Sequence, residues 1–303
     1  MAVPLQHTKK ELVLSKRKWE FSDAVNMGII ILGTAAVLAS PFHFTWSALW
    51  VALVLHWMTI HIGISLSFHR NLSHKSLKLT KSLEYLFAYF GLHAAQRDPM
   101  WWVSVHRHHH QFTDSDRDPH SPVEGFWFSY VNWAFNHNYL REKCGGLNNV
   151  MDLQKQAYYR FLQKTYYLHL VALALLLYLG GGLSHLIWGF GGAHGSGWGV
   201  RIAFGHHFTF MVNSVCHTWG NRPWNTSDLS KNNWVVGFVG FGEGWHNNHH
   251  AFEFSARLGL EWWQLDVPWY IIKLLEYLGL ATHVKVPTEL QKSKFSHKNQ
   301  KLH

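Results

Sequence analysis

From Ala24 to His69 the chain contains no Lys, Arg, Asp or Glu. A run of that length, rich in Ile, Leu, Val and Ala and broken only at Pro41, is poorly suited to a water-soluble fold. A helix needs roughly 20 apolar residues to cross a hydrocarbon layer about 30 Å thick. The run supplies two such helices, Ala24–Ser40 at the lower limit of length and Phe42–Phe68, with a tight turn over Ser40–Thr45. Thr165–Val200 and Ile202–Asn221 are again free of charge on either side of Arg201. They read as a second hairpin, with its turn in the Gly-rich stretch near Gly189–Gly199, just beyond Gly180, Gly181 and Gly182.

Charge fixes the orientation. Lys and Arg avoid the two short connections and collect before the first span, between Arg70 and Lys164, and after Arg222. Basic segments stay on the cytosolic side, so both termini and the long middle segment are expected there. The apolar stretch Leu83–His93 is too short to cross and reads as an interfacial helix. The net charge of +9 therefore belongs to membrane flanks, and no nucleic-acid-binding motif accompanies it. Charged residues make up 15% and aromatics 16%, which excludes a disordered chain, and two cysteines exclude a disulfide scaffold. The expected organisation is a single domain. A cytosolic N-terminal segment (1–23) leads to the first hairpin (24–68), a cytosolic segment (69–164) and the second hairpin (165–221). A further cytosolic segment (222–287) and a solvated tail (288–303) complete it.

The chain carries 25 histidines, and eight of them fall in three clusters. These are His69 and His74; His106, His109 and His110; and His246, His249 and His250. In the last two clusters the spacing i, i+3, i+4 puts all three imidazoles on one helix face. In the first, a five-residue spacing turns the rings about 140° apart on an α-helix. Either a bent helix end or ligation of different metals would reconcile that. Two spans separate the second cluster from the third, so all three meet on one membrane face. Eight imidazoles exceed what one ion can use, so two metals are expected, with Zn, Cu and Fe all suited to imidazole. Carboxylates should orient the ligands from behind, and Asp114, Asp116, Asp118 and Glu243 are placed for this. His43, His169 and His185 lie outside the clusters, and His108 and His120 beside them but off the pattern. These five are read as packing histidines.

The HX4H, HX2HH, HX2HH set with paired hydrophobic hairpins resembles the membrane fatty-acyl desaturases. The stretches Asp114 to His120 (DSDRDPH), Gly220 to Trp224 (GNRPW) and Gly242 to His250 (GEGWHNNHH) are similar to the acyl-CoA Δ9, stearoyl-CoA desaturase-like branch. Arg141 to Asp152 and Glu261 to Asp266 look like its plant members. The resemblance runs from about Phe21 to Thr288. It implies an all-α integral membrane fold, four transmembrane helices in two hairpins with a cytosolic helical cap holding a di-iron site. It also implies a ninth ligand, His217, and Asn213 reaching the metal through a water. Gln96, Trp102 and Thr209 match residues that shape the kink of an apolar substrate tunnel.

The implied reaction is O2-dependent insertion of a cis double bond, at Δ9, into a saturated acyl-CoA. Electrons would come from cytochrome b5 and its reductase, or from ferredoxin in a plastid. No transit peptide is visible, so the expected site is the endoplasmic reticulum membrane rather than a plastid. Animal acyl-CoA desaturases carry Arg-Asp immediately before the second box, contacting CoA, where this chain has Ser104 and Val105. A glycerolipid-bound acyl chain (Δ7 or Δ9) is therefore the alternative substrate. Hydroxylases and acetylenases use the same boxes and are separated by product analysis. A His-rich metal transporter would place its ligands near the bilayer midplane, whereas these clusters lie beyond the span ends.

Overall fold

A computed structural model describes residues 21–190 and 200–296. The architecture is helical, and the β structure named as strands is one two-residue pair, β1 (Lys78–Leu79) antiparallel to β2 (Ala281–Thr282). Helix α1 (Phe21–Ala39) ends in a 3-10 turn, Ser40–His43, with Pro41 in its first turn. Helix α2 (Trp46–His56) starts where the Thr45 hydroxyl accepts from the Ala48 amide at 3.1 Å. The chain does not stop at Phe68. It continues from Trp57 to Ser73 as π-type turns, carrying the first histidine cluster on the end of the span.

Helix α3 (Lys81–Leu92) covers the expected interfacial stretch, but it is packed hard onto this long helix. A Cβ on Gly63 would lie 2.3 Å from the Gly91 amide nitrogen, so glycine alone permits the contact. Helix α4 (Pro99–Phe112) begins with Pro99 in its first turn, where no amide is missed, and with the Asp98 carboxylate accepting from the amides of Met100 and Trp101. Three short helices follow, α5 (Phe126–Tyr130), α6 (His137–Cys144) and α7 (Met151–Gln154).

Helix α8 (Ala157–His185) starts eight residues before the expected Thr165 and extends through π-type turns to Phe190. Gly181 and Gly182 depart from helical dihedrals, with φ of Gly182 at 62°, so the glycine triplet marks a kink within the helix. The expected turn lies mostly in residues 191–199, outside the described residues. Helix α9 (Val200–Thr218) returns, and α10 (Trp234–Val239), α11 (His246–Ala251), α12 (Val267–Tyr277) and α13 (Glu289–Phe295) complete the chain.

Among the described residues, two helices are long and apolar enough to cross a membrane, Trp46–Ser73 and Ala157–Phe190. The outer face of α8 exposes Leu168, Val171, Leu175, Leu176 and Leu179, the last at 80%. Such a stripe at helical spacing is the reverse of a soluble helix and suits lipid. Helices α1 and α2 both pack on α9, and α2 also packs on α8.

Arg201, at the start of α9, is 3% exposed. Its Nε donates to the Gly189 carbonyl at 2.6 Å, and its Nη1 to the Thr59 hydroxyl at 2.9 Å and the His93 carbonyl at 3.0 Å. Gly189 lies at the end of the α8 extension, and His93 caps α3. Helix C-termini carry partial negative charge, so one guanidinium pins three elements without a carboxylate. Arg201→Met should lower stability by on the order of 3 kcal/mol, because several charge-assisted bonds are lost and their carbonyls stay buried. Thermal unfolding in detergent checks this, and an unchanged midpoint would refute it.

The stretch expected to be a solvated tail carries a short helix with no buried residue. Thr288 and Gln291 form a capping box that starts α13. The Phe295 ring sits 5.4 Å from that of Phe252, and the Asn225 amide donates to the Phe295 carbonyl at 2.9 Å. The last residues, 297–303, lie outside the described residues.

Candidate metal centre

Helix α4 presents the second histidine cluster and α11 the third, each on one face as the spacing requires. The first cluster resolves through its π-type turn. The His74 amide donates to the His69 carbonyl at 3.1 Å, an i to i+5 closure, and the two rings stand 5.0 Å apart. The helix end is widened, and both rings serve one site.

All eight clustered histidines and His217 converge in two groups. His69, His74, His106, His110 and His249 form one, and His109, His217, His246 and His250 the other. In the first, the Nε2 atoms of His69 and His249 are 3.0 Å apart, those of His74 and His106 2.8 Å, and those of His249 and His110 2.9 Å. In the second, His246 Nε2 is 3.0 Å from that of His217 and 3.1 Å from that of His250. Two nitrogens bound at about 2.1 Å to one ion, at right angles, are about 3.0 Å apart. The groups are coupled, since α4 and α11 each feed both, and the rings of His110 and His250 stack at 4.5 Å between them.

The far side of the rings fixes the tautomers. Nδ1 of His69 lies 2.8 Å from Glu243, that of His109 3.0 Å from Asp118, and that of His110 3.3 Å from Glu253. Nδ1 of His217 lies 3.0 Å from Asp114, and that of His250 3.1 Å from Asp228. A proton held on Nδ1 leaves the Nε2 lone pair pointing inward. Several inward lone pairs at 3 Å repel one another unless a cation lies among them, so the residues fit a metal ion in each group. Burial, reinforced by the neighbouring imidazoles, holds His74, His106, His109, His246, His249 and His250 well below the ordinary histidine pKa. These rings are therefore neutral at pH 7, the form that binds metal.

Of the carboxylates expected behind the ligands, Asp114, Asp118 and Glu243 take that place. Asp116 is exposed and contacts none of the nine rings. Asp228 and Glu253 were missed. Glu253 falls four residues after His249, a spacing that could have drawn notice, whereas Asp228 comes from an irregular loop and has no such signal. His120 is buried, with its ring 4.2 Å from that of His109, and joins His109 and Asp118 in a third potential ligand set. His108 packs on Phe112, and His169 and His185 bond to hydroxyls. Asn213 is half-buried one turn before His217, and its side chain makes no hydrogen bond among the described residues.

The three residues assigned to a tunnel kink are joined in a chain. Trp102 Nε1 donates to the Gln96 amide oxygen at 3.2 Å, and Gln96 Nε2 donates to the Thr209 hydroxyl at 2.8 Å. The Trp102 ring stacks on His106, with centroids 5.0 Å apart and planes 21° apart. The chain thus ties α4 to α9 directly beside the first histidine group. Ser104 and Val105 face inward: the Ser104 hydroxyl donates to Asn149 Oδ1 at 2.6 Å, and Val105 is packed among Phe128, Trp133 and Phe210.

Residues 44–278 match the model of a family described as fatty acid desaturase. The chain belongs to the fatty acid desaturase family. It is 53% identical over 299 residues to an acyl-CoA C20 Delta5-desaturase of Anemone leveillei, covering 98% of this chain and 92% of that one. It is 54% identical over 288 residues to the chloroplastic palmitoyl-monogalactosyldiacylglycerol delta-7 desaturase of Arabidopsis thaliana, covering 95% and 76%. It is 52% identical over 288 residues to Delta-9 acyl-lipid desaturase 1 of the same plant, covering 95% and 92%. The desaturase is accordingly an oxidoreductase, similar to both the acyl-CoA and the acyl-lipid enzymes of plants.

Proposed function

We propose that this desaturase uses O2 to place a cis double bond at Δ9 of a saturated fatty-acyl-CoA, with an iron ion in each histidine group. The convergence of nine imidazoles in two carboxylate-backed groups, beside the Trp102–Gln96–Thr209 chain, carries the reading. Unactivated methylenes have no acidic proton, so O2 is the oxidant, and a di-iron pair held by these histidines would supply the redox chemistry that activates it. A –CH2–CH2– pair, O2, two electrons and two protons give –CH=CH– and two waters. The electrons come from cytochrome b5 and its reductase. His69, His74, His106, His110 and His249 hold one iron and His109, His217, His246 and His250 the other, with Asn213 acting through a water.

The remaining work is positioning. An acyl chain has no polar handle near its midpoint, so one methylene pair is selected by shape. Gln96, Trp102 and Thr209 bend the chain against the histidine groups. The enzyme sits in the endoplasmic reticulum membrane with four spans and both termini cytosolic, α1 and α9 pairing with the two longer helices. A terminal tag reached by protease only from the lumen would contradict that topology. A glycerolipid-bound chain is the second reading. It is favoured by the burial of Ser104 and Val105, which offer no charge to a CoA group.

Expression in a desaturase-deficient yeast, with double bonds located separately in acyl-CoA and in each glycerolipid class, tests both. Δ9 monoenes appearing first in acyl-CoA support the proposal, and hydroxylated products or none would overturn it. Trp102→Ala should yield mixed double-bond positions at a lower rate while metal content holds. Burial of a Trp contributes about 1.5–3 kcal/mol or more, so folding is monitored in parallel. A single product isomer formed at the wild-type rate would remove Trp102 from the tunnel.

A further inference from the structure

We propose that a basic pocket behind the first histidine cluster binds a phosphate-bearing head group, a function separate from the histidine groups. The pocket holds about 420 Å³ and lies between the β1–β2 pair, the start of α3 and α7. That volume falls in the range of small-ligand sites and accommodates a nucleotide or a glycerophosphate. Its apolar lining comes from Leu72, Leu77 and Leu153, all buried.

The charges around it are unequal. Two carboxylates face the pocket, and both are already matched. Glu84 pairs with Lys81 at 2.6 Å and accepts from the Tyr159 hydroxyl at 3.0 Å. Asp152 pairs with Arg107 at 2.9 Å and with Lys75 at 3.0 Å. Lys78 and Lys285 are exposed on the rim and have no carboxylate partner among the described residues. Two unmatched ammonium groups suit one phosphate, whose monoester carries a charge of about −1.5 to −2 at pH 7.

An independent observation lies deeper in the pocket. Asn71 is 6% exposed, and its Nδ2 has no hydrogen-bond partner. A buried amide donor without an acceptor is costly, and an oxyanion entering from the rim would satisfy it. A purely electrostatic patch would not need such a donor. The position of Asn71 between His69 and His74 places the site against the metal centre's own loop, yet none of its groups is a proposed ligand.

Two sources share this chemistry, free or acylated CoA and a glycerophospholipid, and the experiment separates them. Full-length protein in detergent is titrated with unacylated CoA. In a second arm it is reconstituted in phosphatidylcholine vesicles with and without phosphatidic acid. Saturable binding in either arm is expected, with competition by inorganic phosphate and weakening with salt. The surface variant Lys78→Glu/Lys285→Glu should lose at least tenfold in affinity while keeping its thermal midpoint. Asn71→Leu should weaken binding without altering the salt dependence. Equal binding by wild type and the double Lys variant, or no binding in both arms, would overturn the proposal. Since metal content and desaturation are not the readouts, its failure is distinct from failure of the desaturation reading.

Discussion

His106→Ala, His109→Ala, His246→Ala and His250→Ala each abolish double-bond formation, while His43→Ala and His185→Ala keep it. Within the first four, the site empties in a defined way. His106 Nε2 lies 2.8 Å from that of His74, so its loss opens the five-histidine group. His246 contacts both His217 and His250 through Nε2, so its loss removes the hub of the four-histidine group. Metal per chain should fall from two towards one in each variant, because one group stays complete. Elemental analysis after gel filtration, with product analysis in yeast, checks both effects. Wild-type product from any of the four, or two metals retained in all, would remove the ligand assignment. His43 lies in the 3-10 turn between α1 and α2, and the His185 side chain bonds to Ser47. Neither contacts the nine rings.

The second large effect is expected at a residue that touches no metal. Glu243 accepts from the Ser65 hydroxyl at 2.5 Å, faces His69 Nδ1 at 2.8 Å and pairs with Arg70 at 3.0 Å. Every group around it is a donor. Glu243→Gln puts an NH2 where only an acceptor fits, so one contact turns repulsive and His69 loses its fixed tautomer. Loss of such a partner costs about 10–100-fold in metal affinity or activity. Arg70 keeps its pairing with Asp266 at 2.8 Å, so the fold should survive. Chelator competition would show one tight and one weakened metal. Equal affinities in variant and wild type would demote Glu243 to packing.

The sequence and the structure agree where a residue's role follows from its own spacing. The i, i+3, i+4 histidines on α4 and α11 needed nothing beyond helical geometry. The charge-free runs placed the two long apolar helices, although their ends moved. Phe68 was a natural boundary for a hydropathy pattern, because His69 and Arg70 are polar, yet the backbone continues to Ser73. The π-type closure between His69 and His74 has no signature in residue type, so the five-residue spacing stayed ambiguous. His217 shares α9 with His206 and His207 and has no ligand-like spacing to either, and resemblance had to supply it. Asp228 and Glu253 depend on where loops fold back, which pairwise spacing does not encode. Arg201 was read as a charge separating two spans, when it is a buried clamp on two helix ends and the middle of a third helix.

The division of α11 between the two histidine groups has a consequence for synthesis. The chain emerges from the ribosome N-terminus first. By the time α4 is exposed, five of the clustered imidazoles and the first long apolar helix have already emerged. Neither group can be completed then, because one waits for His249 and the other for His217, His246 and His250. Both closures fall within the release of the few dozen residues from His217 to His250. The nascent chain thus has neither histidine group closed until α11 is released. Ion capture by the two groups would then be nearly simultaneous, and would tie α4, α9 and α11 to one another.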